Sequence, residues 1–241
     1  MVKMKLLKIT VILLLGIFVA WNVVAIPTGP SNINIISSSR YPVTLASNTS
    51  AIAGNVTELN FVSNSVTNTW QGYYGNISGS IKLGDANNNT LYDWTTASPN
   101  GEIYATRTSG VPSWASVACA NQVNVTAEDT ILGVNVSVDQ DSVNKTFLNT
   151  TAFSTFYVGS LNINSSQNCR AVNLYNGTAA PSNNFQEVLL NDGTNMIYTA
   201  LITKDANGFD NRTHDFQMLV GENGHNGDVA ATPYYFYLEL H

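Results

Sequence analysis

The chain has 241 residues and a mass of 26.0 kDa, with 44% hydrophobic and 10% aromatic residues but only 11% charged ones. That apolar content excludes a disordered body. The charged fraction is well under the ~25% of an ordinary soluble protein, so Asn, Ser, Thr and Gly must supply the polar surface. Formal net charge is −6, and three of the ten basic residues (Lys3, Lys5, Lys8) lie in the first eight positions, so no basic run remains to bind nucleic acid.

In chain order, the first element is an export segment. Three lysines precede an apolar stretch, 9–25, interrupted only by Thr10 and Asn22. Val23-Val24-Ala25 then places short side chains at the −3 and −1 positions of a cleavage site. Residues 1–25 read as a signal peptide cut after Ala25, leaving a mature chain of ~215 residues at the cell surface or outside the cell. An uncleaved N-terminal anchor is the alternative, and in either case membrane contact runs through this segment. No cysteine follows the apolar run, which disfavours a lipoprotein anchor.

Residues 26–40 form an extended tail containing Pro27 and Pro30, in which Ile33 and Ile35 alternate with polar neighbours. Either this is the first strand of the domain, or it is a donor strand that completes the sheet of a neighbouring subunit. From 41 to 241 short β-patterned runs are separated by Gly, Asn, Asp and Pro, at 41–46, 51–62, 70–83, 102–107, 131–138, 152–163, 187–190, 196–203, 214–220 and 233–241. Gly72, Gly75 and Gly79 bend the 70–83 run between two sheets, with Tyr73, Ile77, Ile81 and Leu83 inward. Leu132, Val134, Val136 and Val138 share one face of the 131–138 run. Phe236, Leu238 and Leu240 share one face of the last strand, opposite Tyr235, Tyr237 and Glu239. Asn191-Asp192-Gly193-Thr194 is a hairpin signal, and short helices are expected at 113–120 and 139–148. About ten strands at this spacing predict an all-β domain over 41–241, a β-sandwich or jelly roll.

The two cysteines, Cys119 and Cys169, have no CxxC spacing, which excludes a zinc knuckle or thioredoxin-type site. In an exported chain they pair as a disulfide, worth roughly 3–4 kcal/mol in the chain-entropy model; two buried free thiols are the alternative. Eleven N-x-S/T sequons occur, at Asn48, Asn55, Asn76, Asn88, Asn124, Asn135, Asn144, Asn149, Asn164, Asn176 and Asn211. Chance gives roughly six, and glycans on a subset would shield a surface poor in charge.

Two acidic loops present oxygens at alternate positions. Asp85, Asn87 and Asn89, with Asp93 beyond, resemble the start of a calcium loop, and Asp205, Asn207 and Asp210 repeat the pattern. The sixth-position Gly and closing Glu of an EF-hand are missing, so Asx-type turns compete with calcium binding. Calcium is the one cofactor this pattern suggests. The three histidines, His214, His225 and His241, lack metal-site spacing, no GxSxG elbow occurs, and the acids Asp139, Asp141 and Glu239 are dispersed. No catalytic residue is assigned and the chain reads as a non-enzyme; a secreted hydrolase would need two close carboxylates in a cleft. The aromatic residues Trp70, Tyr73, Tyr74, Tyr92, Trp94, Trp114 and Tyr234 to Tyr237 either pack the core or form a sugar-stacking platform.

The stretches Thr69-Trp70-Gln71-Gly72-Tyr73-Tyr74-Gly75-Asn76-Ile77-Ser78-Gly79, Leu91-Tyr92-Asp93-Trp94, Gly101-Glu102-Ile103-Tyr104-Ala105, Asp215-Phe216-Gln217-Met218-Leu219-Val220 and Tyr234-Tyr235-Phe236-Tyr237-Leu238-Glu239-Leu240 resemble a group of archaeal exported β-rich proteins. The resemblance implies a surface or pilin-like filament subunit and carries over no catalytic residues. The sequence thus points to a structural subunit of an extracellular fibre or coat that self-assembles into a homopolymer, with Ile33 and Ile35 inserted in a neighbour. A monomeric adhesin or module that binds surface carbohydrate is the alternative.

Overall fold

The computed structural model describes residues 26–42, 45–95, 99–110, 112–224 and 231–241; the export segment and His225 lie outside the described residues. The chain is all-β and sandwich-like. Its strands are β1 (Trp70–Gly75), β2 (Ser80–Gly84), β3 (Thr90–Thr95), β4 (Gly101–Thr106), β5 (Ala118–Cys119), β6 (Phe156–Val158), β7 (Leu161–Ile163), β8 (Arg170–Asn173), β9 (Gln186–Asn191), β10 (Met196–Leu201), β11 (Ala206–Asn207), β12 (Thr213–His214), β13 (Phe216–Gly221) and β14 (Tyr235–Leu240). Among the described residues there are also two short helices, α1 (Gln122–Ile131) and α2 (Val143–Thr146), and two 3₁₀ turns.

The main sheet runs β14-β4-β10-β9, all antiparallel, with β5 and β8 both on the outer edge of β9. Strands β4, β9 and β10 are buried at every residue, because both faces of this sheet are covered. Ile103, Ala105, Leu189, Met196, Tyr198 and Ala200 project to one face, where Val125 of α1, Val143 of α2 and Met218 and Val220 of the β1–β13 ribbon cover them. Tyr104, Val188, Leu190 and Ile197 project to the other, under Trp114, Phe153 and the β6–β7 hairpin. The expected alternation of the last strand is present: Phe236, Leu238 and Leu240 pack on the first face, Tyr237 on the second.

Several expected elements differ. The 131–138 run is the end of α1 and a turn, not a strand. Its Gly133 takes a positive φ of 69°, with Val134 N–H bonded to Asp129 C=O and Gly133 N–H to Thr130 C=O, a Schellman stop. Val136 and Val138 are therefore exposed. The helix expected at 113–120 is a single 3₁₀ turn, Trp114–Ser116, running into β5, and the 139–148 helix shrinks to α2. The 70–83 run splits into β1 and β2 in different sheets; Tyr73 and Ile77 reach the core, but Ile81 and Leu83 lie on an exposed hairpin with β3. The packed body starts near Thr69. Within 45–62 no strand forms: the apolar residues Ile52, Val56, Leu59, Phe61 and Val62 lack a two-residue period and so offer no single face to bury.

Candidate functional site

Strand β14 closes one side of the main sheet, and its outer edge is nearly bare. Among the described residues it is met by one bridge, in which Thr28 and Leu238 exchange both backbone hydrogen bonds, at 3.0 and 2.7 Å. Side alternation along an antiparallel strand means that Phe236 and Leu240 aim their N–H and C=O groups outward beside Leu238. On one side of the bridge the next donor is missing for a covalent reason. Residue 30 is the next tail position that would donate to β14, and Pro30 has no N–H. Beyond it, the described residues of 31–66 form no helix or strand. The proposed donor residues lie here in the open, Ile33 57% and Ile35 86% exposed, joined by Ile36, Leu45, Val56, Phe61 and Val62.

A second feature lies one strand inward. Glu102 of β4 and Glu239 of β14 are directly opposite in register, so both side chains point to the second face of the sheet. Both are buried, at 4% and 2% exposure. Glu239 accepts hydrogen bonds from Tyr104 Oη–H at 3.0 Å and from Gly159 N–H at 3.0 and 3.3 Å. Gly159 serves because the tight β6–β7 turn needs its φ of 56°. Glu102 Oε2 lies 3.2 Å from His241 Nε2. Burial, with Glu239 alongside, pushes the Glu102 carboxyl up to about 8, and burial also raises Glu239. These three residues border a cavity of about 420 Å³ together with Asn100, Thr155 and Phe156. The arrangement can hold a proton or a cation between the carboxyls. Sequence reasoning noted Glu239 as one of several dispersed acids and missed Glu102; the pairing appears only once the β4–β14 register is known.

The structure forms the Cys119–Cys169 disulfide. It joins β5 to the start of β8, two short strands lying end to end along β9, and it fits an oxidising compartment. No helix among the described residues is long and apolar enough to cross a membrane.

In the two calcium-like loops the acids are engaged in local turns and ion pairs. Asp85 accepts from the Asn87 and Asn89 amides and from Asn89 Nδ2 within its own turn, and Asp93 pairs with Lys82 at 3.9 Å. In the second loop Asp205 pairs with Lys204 at 3.8 Å, and Asp210 pairs with Arg212 at 2.5 Å and lies 2.9 Å from His214 Nε2. Asn207 donates to Asn176. Among the other acids, Asp139 accepts from the Asn135 amide and Asp141 from Thr67.

Of the sequon asparagines, Asn48, Asn55, Asn76, Asn88, Asn135, Asn149 and Asn211 are exposed, while Asn124, Asn144, Asn164 and Asn176 are half-buried. Asn124 belongs to the cap of α1, and Asn164 Nδ2 already donates to Asn162. Trp70, Tyr73, Trp114 and Tyr237 pack the core. Tyr92 and Trp94 instead face solvent on the β2–β3 hairpin, with ring centres 4.7 Å apart.

Comparison with protein-family models, with curated proteins and with solved structures found no match to this chain.

Proposed function

We propose that the protein is an exported structural subunit that assembles with copies of itself by β-strand addition, the tail of one copy docking on the β14 edge of the next. The observation that carries this reading is the pairing of a nearly bare sheet edge with a long tail of exposed apolar residues that meets the edge at Thr28, the next donor position being Pro30. Fully extended at ~3.3 Å per residue, segment 31–66 can reach on the order of 120 Å, several times the ~16 Å radius of gyration expected for a domain of this size. Backbone bonds along the edge would give affinity, and alternate Ile33 and Ile35 side chains would give register. Export, a disulfide and glycans on the exposed sequons suit a subunit that lives outside the cell.

The test is the size distribution of secreted protein by light scattering. Full-length mature chain is expected to form polymers, and a variant lacking 26–66 to remain monomeric. Polymers that form equally well from the shortened chain would overturn the reading.

One observation favours a second reading, a monomeric carbohydrate-binding module: the exposed Tyr92–Trp94 pair beside Asp93. It predicts a glycan-array signal abolished by Tyr92→Ala and Trp94→Ala in a chain that stays monomeric.

A further inference from the structure

Like charges directly opposite on paired strands are destabilising, and burial makes the repulsion worse. Glu102 and Glu239 nevertheless hold that register, and among the described residues no lysine or arginine pairs with either. A proton shared between them is one way to offset the charge. Among the described residues no hydrogen bond joins the two carboxyls, so a proton held here sits on one of them and not between them. Their contacts point elsewhere, Glu239 to Tyr104 and Gly159, Glu102 Oε2 to His241. Glu102 is 4% exposed and lines the cavity, and the hydrogen bond found for its carboxyl among the described residues is the one to His241.

The third member is an imidazole. One donor atom each from Glu102, Glu239 and His241 lie within 4.8 Å of one another. Tetrahedral zinc ligands at ~2.0–2.1 Å from the ion sit roughly 3.3 Å apart, so closure from a spread of up to 4.8 Å needs at most about 1.5 Å of side-chain movement, shared among the three residues. Calcium suits the set poorly, because it takes six to eight oxygens, whereas ions that accept both carboxylate and imidazole match it.

We propose that Glu102, Glu239 and His241 bind one divalent ion of the borderline class, with zinc as its representative, and that the ion clips β14 to β4 beside the cavity. The Gly159 and Tyr104 donors hold Glu239 in place as a ligand, as outer-shell hydrogen bonds do at metal sites. The clip neutralises the carboxylate pair and steadies the strand whose other edge is bare. It is independent of what, if anything, docks on that edge.

The test is Zn²⁺ titration by calorimetry of metal-stripped, full-length secreted protein without a histidine tag, with Co²⁺ absorption as a second readout. One ion per chain is expected, together with a zinc-dependent rise in Tm. His241→Ala and Glu102→Gln should each weaken binding at least tenfold, and His241→Ala, at an exposed position, should leave the metal-free fold unchanged. Absence of stoichiometric uptake would overturn the proposal. So would uptake that both variants leave intact, which would place the ion elsewhere, or Ca²⁺ binding as tight as Zn²⁺ binding.

Discussion

Four of the six buried acids among the described residues set the residue-scale character of this protein, and each of the four has a different partner. Glu128 takes two bonds from Arg107 and one at 2.6 Å from Tyr198 Oη–H, tying α1 to β4 and β10. Asp129, next in the chain, accepts from the Val143 and Asn144 amides and so caps α2. Glu239 belongs to the carboxylate pocket. Glu187 is completely buried; its Oε2 accepts from Leu219 N–H at 2.8 Å, and its Oε1 has no partner among the described residues. Burial raises the Glu187 carboxyl well above its ordinary value of 4.5, so the folded chain keeps a proton that the unfolded chain loses. The folded state then binds more protons above about pH 4.5, and this residue's contribution to stability falls as pH rises from there. Glu187→Gln retains the acceptor for Leu219 without the titration. The expected result is equal Tm for variant and wild type at pH 4 and a higher Tm for the variant at pH 7, read by thermal melts at both values. The same acids explain why α1 was illegible in the sequence. Its inward face reads Val125, Glu128, Asp129, Leu132, a helical spacing in which two of four positions are charged, and the acids' partners lie far along the chain. The neighbouring Leu132 and Val134 then suggested a strand.

At the scale of elements, local signals were read well and long-range pairing was not. The Asn191-to-Thr194 turn is where the sequence places it, joining β9 to β10, because Asp192 accepts from the Thr194 and Asn195 amides within the turn itself. The faces of β14 follow directly from its alternation. What alternation cannot supply is the neighbour of each strand, and therefore neither the Glu102–Glu239 pair nor the bare edge of β14 was visible. Once the edge is known, Pro30 acquires a role that its position in a tail did not suggest. Restoring a donor there should let the tail pair further along its own β14. Pro30→Val is thus expected to slow polymerisation severalfold while leaving the monomer at least as stable, measured by light-scattering time courses. Unchanged assembly kinetics would count against proline as the block.

For the whole molecule, the sheet covered on both faces is the rigid part, and the disulfide closes its far side. Cys119 and Cys169 fasten β5 and β8 end to end against β9, a place where two short strands do the work of one. Replacing both by serine is expected to cost about 3–4 kcal/mol in urea unfolding, in line with the loss of a crosslink spanning 50 residues. Two cysteines allow one intramolecular pairing, and the signal-like pattern of the first 25 residues points to an oxidising compartment, so the bond is legible in the sequence. The opposite side of the sheet ends at β14, where rigidity gives way to an open edge and an apolar tail. Hydrogen exchange at the outward amides of β14 probes that side directly. The amides of Phe236 and Leu240 are expected to exchange quickly in the monomer and to become strongly protected on assembly, with protection lost when Ile33 and Ile35 are both changed to Asp. Polymers in which those amides exchange as fast as in the monomer would contradict strand addition at this edge.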